Sequence, residues 1–179
     1  EDVALAYPFF LERVTVNQQP GFVRGLTDSP LRQSSFIFEQ HPAVDLNQLW
    51  PKFHKRQGII VNQAMALSYA LQPGDNLSLV INKTPLNVEV LAIYFSYGSL
   101  VHAFVMDQSW LLELWPQLQT SRLGVFVTDE SKLEPLISEL TEQFQLKAHH
   151  YVLPKAMKQL ALSIFQQTFH ATQLLSLVI

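Results

Sequence analysis

The sequence predicts an α+β fold, on three observations. Short stretches rich in β-branched and aromatic residues recur between turn signals, among them "FFLERVTV", "GIIV", "NLSLVI", "LNVEVLAIYF" and "LVHAFVM". Amphipathic helical patterns sit between or after them, most clearly in "DESKLEPLISELTEQF". The last third reads strand, helix, strand, helix, so the two kinds of element are mixed rather than segregated into one class.

Taken in order, "FFLERVTVNQQPGFVRGL" predicts two strands around a turn at Gln18-Gln19-Pro20-Gly21. Thr27 to Asp45 is polar and broken by prolines, which predicts a long loop with Phe36-Ile37-Phe38 fastened to the body. "DLNQLWPKF" predicts a short helical turn limited by Pro51. Ile59-Ile60-Val61 reads as a buried strand, after which Asn62 caps a helix running to about Ala70. Leu71-Gln72-Pro73-Gly74-Asp75 stops that helix, with Gly74 suited to positive φ.

The strand "NLSLVI", a turn at Lys83-Thr84-Pro85 and the long strand "LNVEVLAIYF" follow. In the long strand Val88, Val90 and Ala92 alternate with Glu89, Leu91 and Ile93, which predicts one buried face. After "LVHAFVM", Asp107 or Ser109 is placed to cap the helix "WLLELW", closed by Pro116. "LGVFVT" predicts a buried strand, "DESKLEPLISELTEQF" a helix with favourable acids in its first turn, and "AHHYVL" a short strand. Pro154 then opens a helix that can run to Ile179.

At 179 residues the chain suits one domain or two small lobes. Charged residues make up only 15%, against the roughly 25% common in soluble domains. A net charge of −3 with scattered Lys and Arg gives no footprint for nucleic acid. With no cysteine there is no disulfide framework, thiolate metal site or Cys nucleophile. The start "EDVALAYPFF" lacks a basic leader, so a signal peptide is expected to be absent or already removed. No run of 18 apolar residues is present to span a bilayer.

Catalytic, cofactor and metal sites are not expected. His149 and His150 are adjacent, and neighbours on a strand point to opposite faces. No H-x-x-x-H or H-E-x-x-H spacing occurs. Asp75, Asp107, Asp129 and Glu130 each fall where a turn or helix start wants an acceptor. No nucleophile elbow or phosphate-cradling glycine loop is visible. Asn76-Leu-Ser and Asn82-Lys-Thr match the glycosylation triplet, which has meaning only in a eukaryotic secretory setting. Tyr94, Phe95 and Tyr97 crowd a strand end beside Gly98, either as core and corner packing or as a partly exposed patch that meets a partner or apolar cargo.

The ending "LALSIFQQTFHATQLLSLVI" has no charged residue, the last being Lys158. Such a tail either docks as a final core helix or belongs to something longer. Here a family resemblance emerges. "GIIVNQAMALSYALQPGDNLSL" resembles a strand-helix-turn-strand stretch in the extracytoplasmic core domain of MacB/FtsX-type ABC-transporter permeases. "VLAIYFSYGSLVHAFVMD" resembles the segment that follows there, matched at Ile93, Tyr94, Tyr97, Gly98, Met106 and Asp107, with Ser96 where an Asp is common. The ending is similar to the helix that enters the next membrane span in those permeases, matched at Ile164, Phe165, Thr168 and Phe169, with Gln166 replacing the usual Asp.

The resemblance implies a two-lobed periplasmic domain on a bacterial inner membrane. Residues 1–26 and 91–153 would form an α/β porter-like lobe, 27–90 a β-rich inserted lobe, and 154–179 a C-terminal stalk helix leading to a membrane span. At roughly 1.5 Å per residue such a stalk is a lever of about 30 Å or more. Implied partners are a cytoplasmic ABC ATPase subunit, a second permease copy or paralogue, and a periplasmic adaptor or lipoprotein. Tyr94, Phe95 and Tyr97 are the candidate partner or cargo contacts, and Leu160, Ile164, Phe165 and Phe169 the candidate stalk-coupling residues. The competing expectation is a free-standing periplasmic binding or adaptor module whose terminal helix packs in its own core.

Overall fold

A computed structural model describes residues 2–39, 44–96, 101–120, 122–147 and 150–153. The elements are β1 (Val3–Phe9), β2 (Leu11–Val16), β3 (Gln19–Leu26), α1 (Pro30–Gln33), α2 (Leu46–His54), β4 (Gly58–Asn62) and α3 (Gln63–Tyr69). They continue with β5 (Asn76–Ile81), β6 (Thr84–Tyr94), β7 (Ala103–Asp107), α4 (Gln108–Leu114), β8 (Arg122–Val127), a 3₁₀ turn (Glu130–Lys132) and α5 (Leu133–Phe144). They fall into two compact units, Glu1–Ser96 with Leu100–Thr128, and Tyr97–Ser99 with Asp129–Ile179. No helix among the described residues is long and apolar enough to cross a membrane.

In the first unit six strands close into a barrel in the order β2-β3-β7-β4-β6-β5. β3 runs parallel to β7 and β4 parallel to β6, while the remaining pairs are antiparallel. Closure satisfies the backbone groups that an open sheet would leave at its edges. Alternate side chains fill the interior: Val14 and Val16, Val23, Ile59 and Val61, Leu77, Leu79 and Ile81, Val88 and Val90, Phe104 and Met106. Met65 of α3 and Leu111 of α4 join the same core. On the outside, α2 lays Leu49 and Phe53 over Ile60, Ala92, Tyr94 and Val105 to build a second core. β4 is buried at every position because both of its faces are covered.

The chain leaves β1, completes the barrel and returns as β8, which pairs antiparallel with β1 in a separate two-stranded ribbon. The expected lobe division is thus not the one the hydrogen bonds make. β2, β3 and β7 from the expected porter-like segments share the barrel with β4 and β5 from the expected insertion, and β6 runs across the boundary at 90/91. The second unit holds the 3₁₀ turn and α5.

Several local expectations shift for physical reasons. The first hairpin turns at Asn17-Gln18, one step early, and the later one at Asn82-Lys83, all four residues with positive φ as two-residue hairpins require. Pro20 is then the second residue of β3, which meets β7 only from Phe22 onward. Pro51 does not end α2, because Asp45 caps the helix and Leu49 and Phe53 anchor it on either side of the proline. β8 is not buried: Leu123 is 67% exposed. Residues 151–153 have no regular secondary structure. Asn62 caps α3 through Met65 N–H, and Gly74 takes φ 98°, as the sequence predicts. The predicted helix from Pro154, with Leu160, Ile164, Phe165 and Phe169, lies outside the described residues, and so does Tyr97.

Candidate functional site

The long β6 strand ends in an aromatic layer on the outside of the barrel. Beyond α1 the chain turns back along β6: Glu39 N–H donates to Ile93 C=O at 2.9 Å, and Phe95 N–H donates to Ile37 C=O at 2.8 Å. This short antiparallel pairing sets Phe38 opposite Tyr94. Phe36 stacks on Phe38 with centroids 5.9 Å apart and meets Tyr94 edge-on at 5.3 Å. Trp50 of α2 contacts Phe36, Phe38 and Phe53 in tilted or edge-on arrangements, the geometry that aromatic quadrupoles favour. Phe36, Phe38, Trp50 and Phe95 are half-buried, and Ile37 is 46% exposed at the rim.

Tyr94 itself is no surface contact. It is 4% exposed and belongs to the second core. Burial raises the pKa of its hydroxyl above the ordinary tyrosine value, against the pull of the nearby Arg24 charge. A bulge explains the placement. β4 pairs Ile59 with Val90 and Ile60 with Ala92, so Leu91 is an extra residue that switches the alternation of β6. Val88 and Val90 point into the barrel with Ile93, while Ala92 and Tyr94 turn towards α2. Phe95, the next residue, is half-buried.

Beside this layer lies a polar network joining residues distant in sequence. Asp107, at the end of β7, caps α4 by accepting from Ser109 N–H at 3.0 Å and Trp110 N–H at 3.1 Å on one carboxylate oxygen. The Ser109 hydroxyl donates to that oxygen too. The other oxygen lies 2.8 Å from Nδ1 of His54 at the end of α2. Burial opposes the charge on Asp107, but Ser109, His54 and the Trp110 N–H together hold its carboxyl below the usual carboxylate range. Nε2 of His54 is 3.1 Å from Gln33 Nε2 and 3.5 Å from Asp28 Oδ1. Because Ser109 bonds the carboxylate rather than the imidazole, the set is a structural hub and not a nucleophile–base–acid chain.

Two further polar sites fasten the body. Arg32 of α1 is 3% exposed and donates to Thr27 Oγ1 at 2.6 Å and Gly25 C=O at 2.7 Å, with its guanidinium 4.0 Å from the Tyr7 ring centre. Burial lowers its pKa, partly offset by Tyr7. His102 links Ser68 Oγ, at 2.9 Å from Nε2, to Tyr69 Oη, at 3.2 Å from Nδ1. The sequence gives no spacing signal for these contacts, since His54 and Asp107 are 53 residues apart. Only the capping position of Asp107 was visible.

No protein-family model matches the chain, and no curated protein does. Among solved structures, the extracellular domain of the noncanonic ABC-type transporter YknZ from Gram-positive bacteria is similar to it over 82% of this chain and 79% of its own, with a TM-score of 0.53 and 11% identity. The periplasmic region of MacB from Actinobacillus actinomycetemcomitans is similar over 80% of this chain and 68% of its own, with a TM-score of 0.48 and 11% identity. The chain therefore shares its fold with the YknZ extracellular domain. That is the kind of fold its resemblance to MacB/FtsX-type permeases implies.

Proposed function

We propose that this chain is the extracytoplasmic domain of an ABC-transporter permease subunit of the MacB/FtsX type, on the periplasmic side of a bacterial inner membrane. The observation that carries the proposal is the shared fold with the YknZ extracellular domain over 82% of the chain, reached from a sequence whose motifs independently resemble those permeases. In this reading the domain has no reaction of its own. A separate cytoplasmic ATPase subunit supplies energy, and the segment 154–179 acts as the stalk that carries movement from the membrane to the barrel body. The outcome is export of a lipoprotein, lipid, peptide or drug-like cargo, or activation of a periplasmic partner. The accessible rim of the aromatic layer, Ile37 with Phe36, Phe38 and Trp50, together with the neighbouring half-buried Phe95, is the face offered to that partner, because half-buried aromatics give large contact area at little entropic cost.

The intact permease reconstituted with its ATPase tests the stalk role. Leu160→Pro or Ile164→Pro should leave ATPase activity in place while transport falls at least about tenfold, since proline breaks a helix that must act as a rigid lever. Retained transport would count against it. Location is tested separately, because the chain has no cysteine. A single Leu67→Cys, at a side chain 76% exposed, should react with a membrane-impermeant maleimide in whole spheroplasts. Labelling only after lysis would overturn the placement.

A further inference from the structure

We infer that His54, Gln33 and Asp28 form a proton-operated latch fastening residues 28–33 to α2, a device that does not depend on the transporter reading. A neutral imidazole has one donor and one acceptor nitrogen, and a charged one has two donors. Nδ1 faces the buried Asp107 carboxylate at 2.8 Å, which only accepts, so Nδ1 carries a proton in both states. The state is decided at Nε2. The Gln33 amide nitrogen is 3.1 Å from Nε2 and 3.0 Å from Asp28 Oδ1. Its two hydrogens serve both acceptors when His54 is neutral.

Proton uptake from water at Nε2 turns that acceptor into a donor. An N–H of Gln33 can no longer face it, so the amide must rotate to present Oε1 or withdraw. Asp28 Oδ1, now 3.5 Å away, becomes a direct acceptor of a charge-assisted bond. The two sides of the latch differ in how readily they give way: the Asp107 side chain is 8% exposed and that of Asp28 76%. The imidazole also has aromatic neighbours among the described residues. Trp50 and Phe53 flank it with their rings, Arg56 engages Glu113 and Ser109 of α4, and Arg32 bonds Thr27 and Gly25. The segment so held leads directly into Phe36 and Phe38 of the aromatic layer.

The test follows the protonation of the His54 ring nitrogens by NMR along a pH series in the 179-residue chain. Hydrogen-exchange protection is measured alongside at the amides of Gln33 and Ser34, which bond Ser29 and Pro30 carbonyls at 2.9 Å. Protection should rise at least about threefold as His54 takes up its proton, with the midpoint of the Nε2 titration. Asp28→Ala, at an exposed site, should remove that step while His54 still titrates, whereas Gln33→Leu, which loses only the amide bridge of the neutral state, should keep it. Protection that stays flat in the native chain, or a step that survives in Asp28→Ala, overturns the latch.

Discussion

Tyr7 lies directly across from Gly124 in the β1–β8 ribbon, and its phenol ring occupies the space that any side chain at 124 would need. The ring is held there by Phe126, with centroids 5.9 Å apart, and by the Arg32 guanidinium. Gly124→Ala therefore forces the ring out of a packed position. A loss of about 1–3 kcal/mol, the range for overpacking, is expected as a lower urea midpoint. Because the clash is between these two residues, Tyr7→Ala combined with Gly124→Ala should lose less than the sum of the single changes. Additive losses would show that the ring does not fill that space.

What the sequence made legible was local chemistry. Asn62 and Asp107 sit just before apolar helical runs, and both cap helices, because a short oxygen-bearing side chain at that position satisfies free N–H groups whatever the rest of the fold does. The paired strands around Asn82-Lys83 and the positive φ of Gly74 are local in the same sense. What stayed hidden depends on neighbours distant along the chain. The bulge at Leu91 exists only because β6 must match β4, and it reverses which residues face the barrel, so a period-two reading put Ala92 on the same face as Val90. β8 is apolar enough to read as buried, yet among the described residues it pairs only with β1. The resemblance fixed the kind of fold while misplacing the lobe boundary, because barrel closure draws on both sides of residue 90.

Asp107 predicts how stability should respond to acid. Its carboxyl is held below the ordinary aspartate range in the folded chain by Ser109, His54 and the Trp110 N–H, so its contribution is present above that ordinary range and is lost as pH falls through the folded value. Asp107→Asn removes this linkage. At pH 7 the variant keeps an oxygen that can cap α4 but loses the charge that faces His54 and Ser109, and it should be less stable than the native chain by about 1.5–3 kcal/mol, the usual worth of hydrogen bonds to a charged group. The gap should close as pH falls through the lowered folded value, below which the native carboxyl is itself protonated. Urea midpoints for both proteins across that range give the answer, and a gap that stays constant down to pH 2 or so would remove the assigned role of the charge.

Arg32 is a buried cation that engages a hydroxyl, a carbonyl and a ring. Its fork geometry lets one guanidinium reach Thr27 Oγ1 and Gly25 C=O while sitting over the Tyr7 ring. Lysine keeps the charge but cannot do all three. Arg32→Lys should therefore cost about 1–3 kcal/mol in chemical denaturation, the penalty for a buried carbonyl left unpaired. A neutral outcome would mean that charge alone, and not the fork, is what the site uses.

The neighbours Tyr94 and Phe95 should separate folding from recognition. Tyr94 is inside the second core, against Phe36 and α2, so Tyr94→Ala opens a cavity and is expected to cost about 3–5 kcal/mol of stability. Phe95 is half-buried, and its backbone N–H, which a substitution keeps, makes the bond to Ile37. Phe95→Ala should cost less than about 1.5 kcal/mol, since part of the ring is already in water. If the rim of the aromatic layer meets a partner, then in the intact permease Phe95→Ala and Ile37→Ala should reduce transport with normal protein levels, whereas Tyr94→Ala should lower the amount of folded protein. Normal transport in Phe95→Ala and Ile37→Ala would move the partner face elsewhere on the barrel. A stability loss in Phe95→Ala as large as that in Tyr94→Ala would instead place both rings in the core.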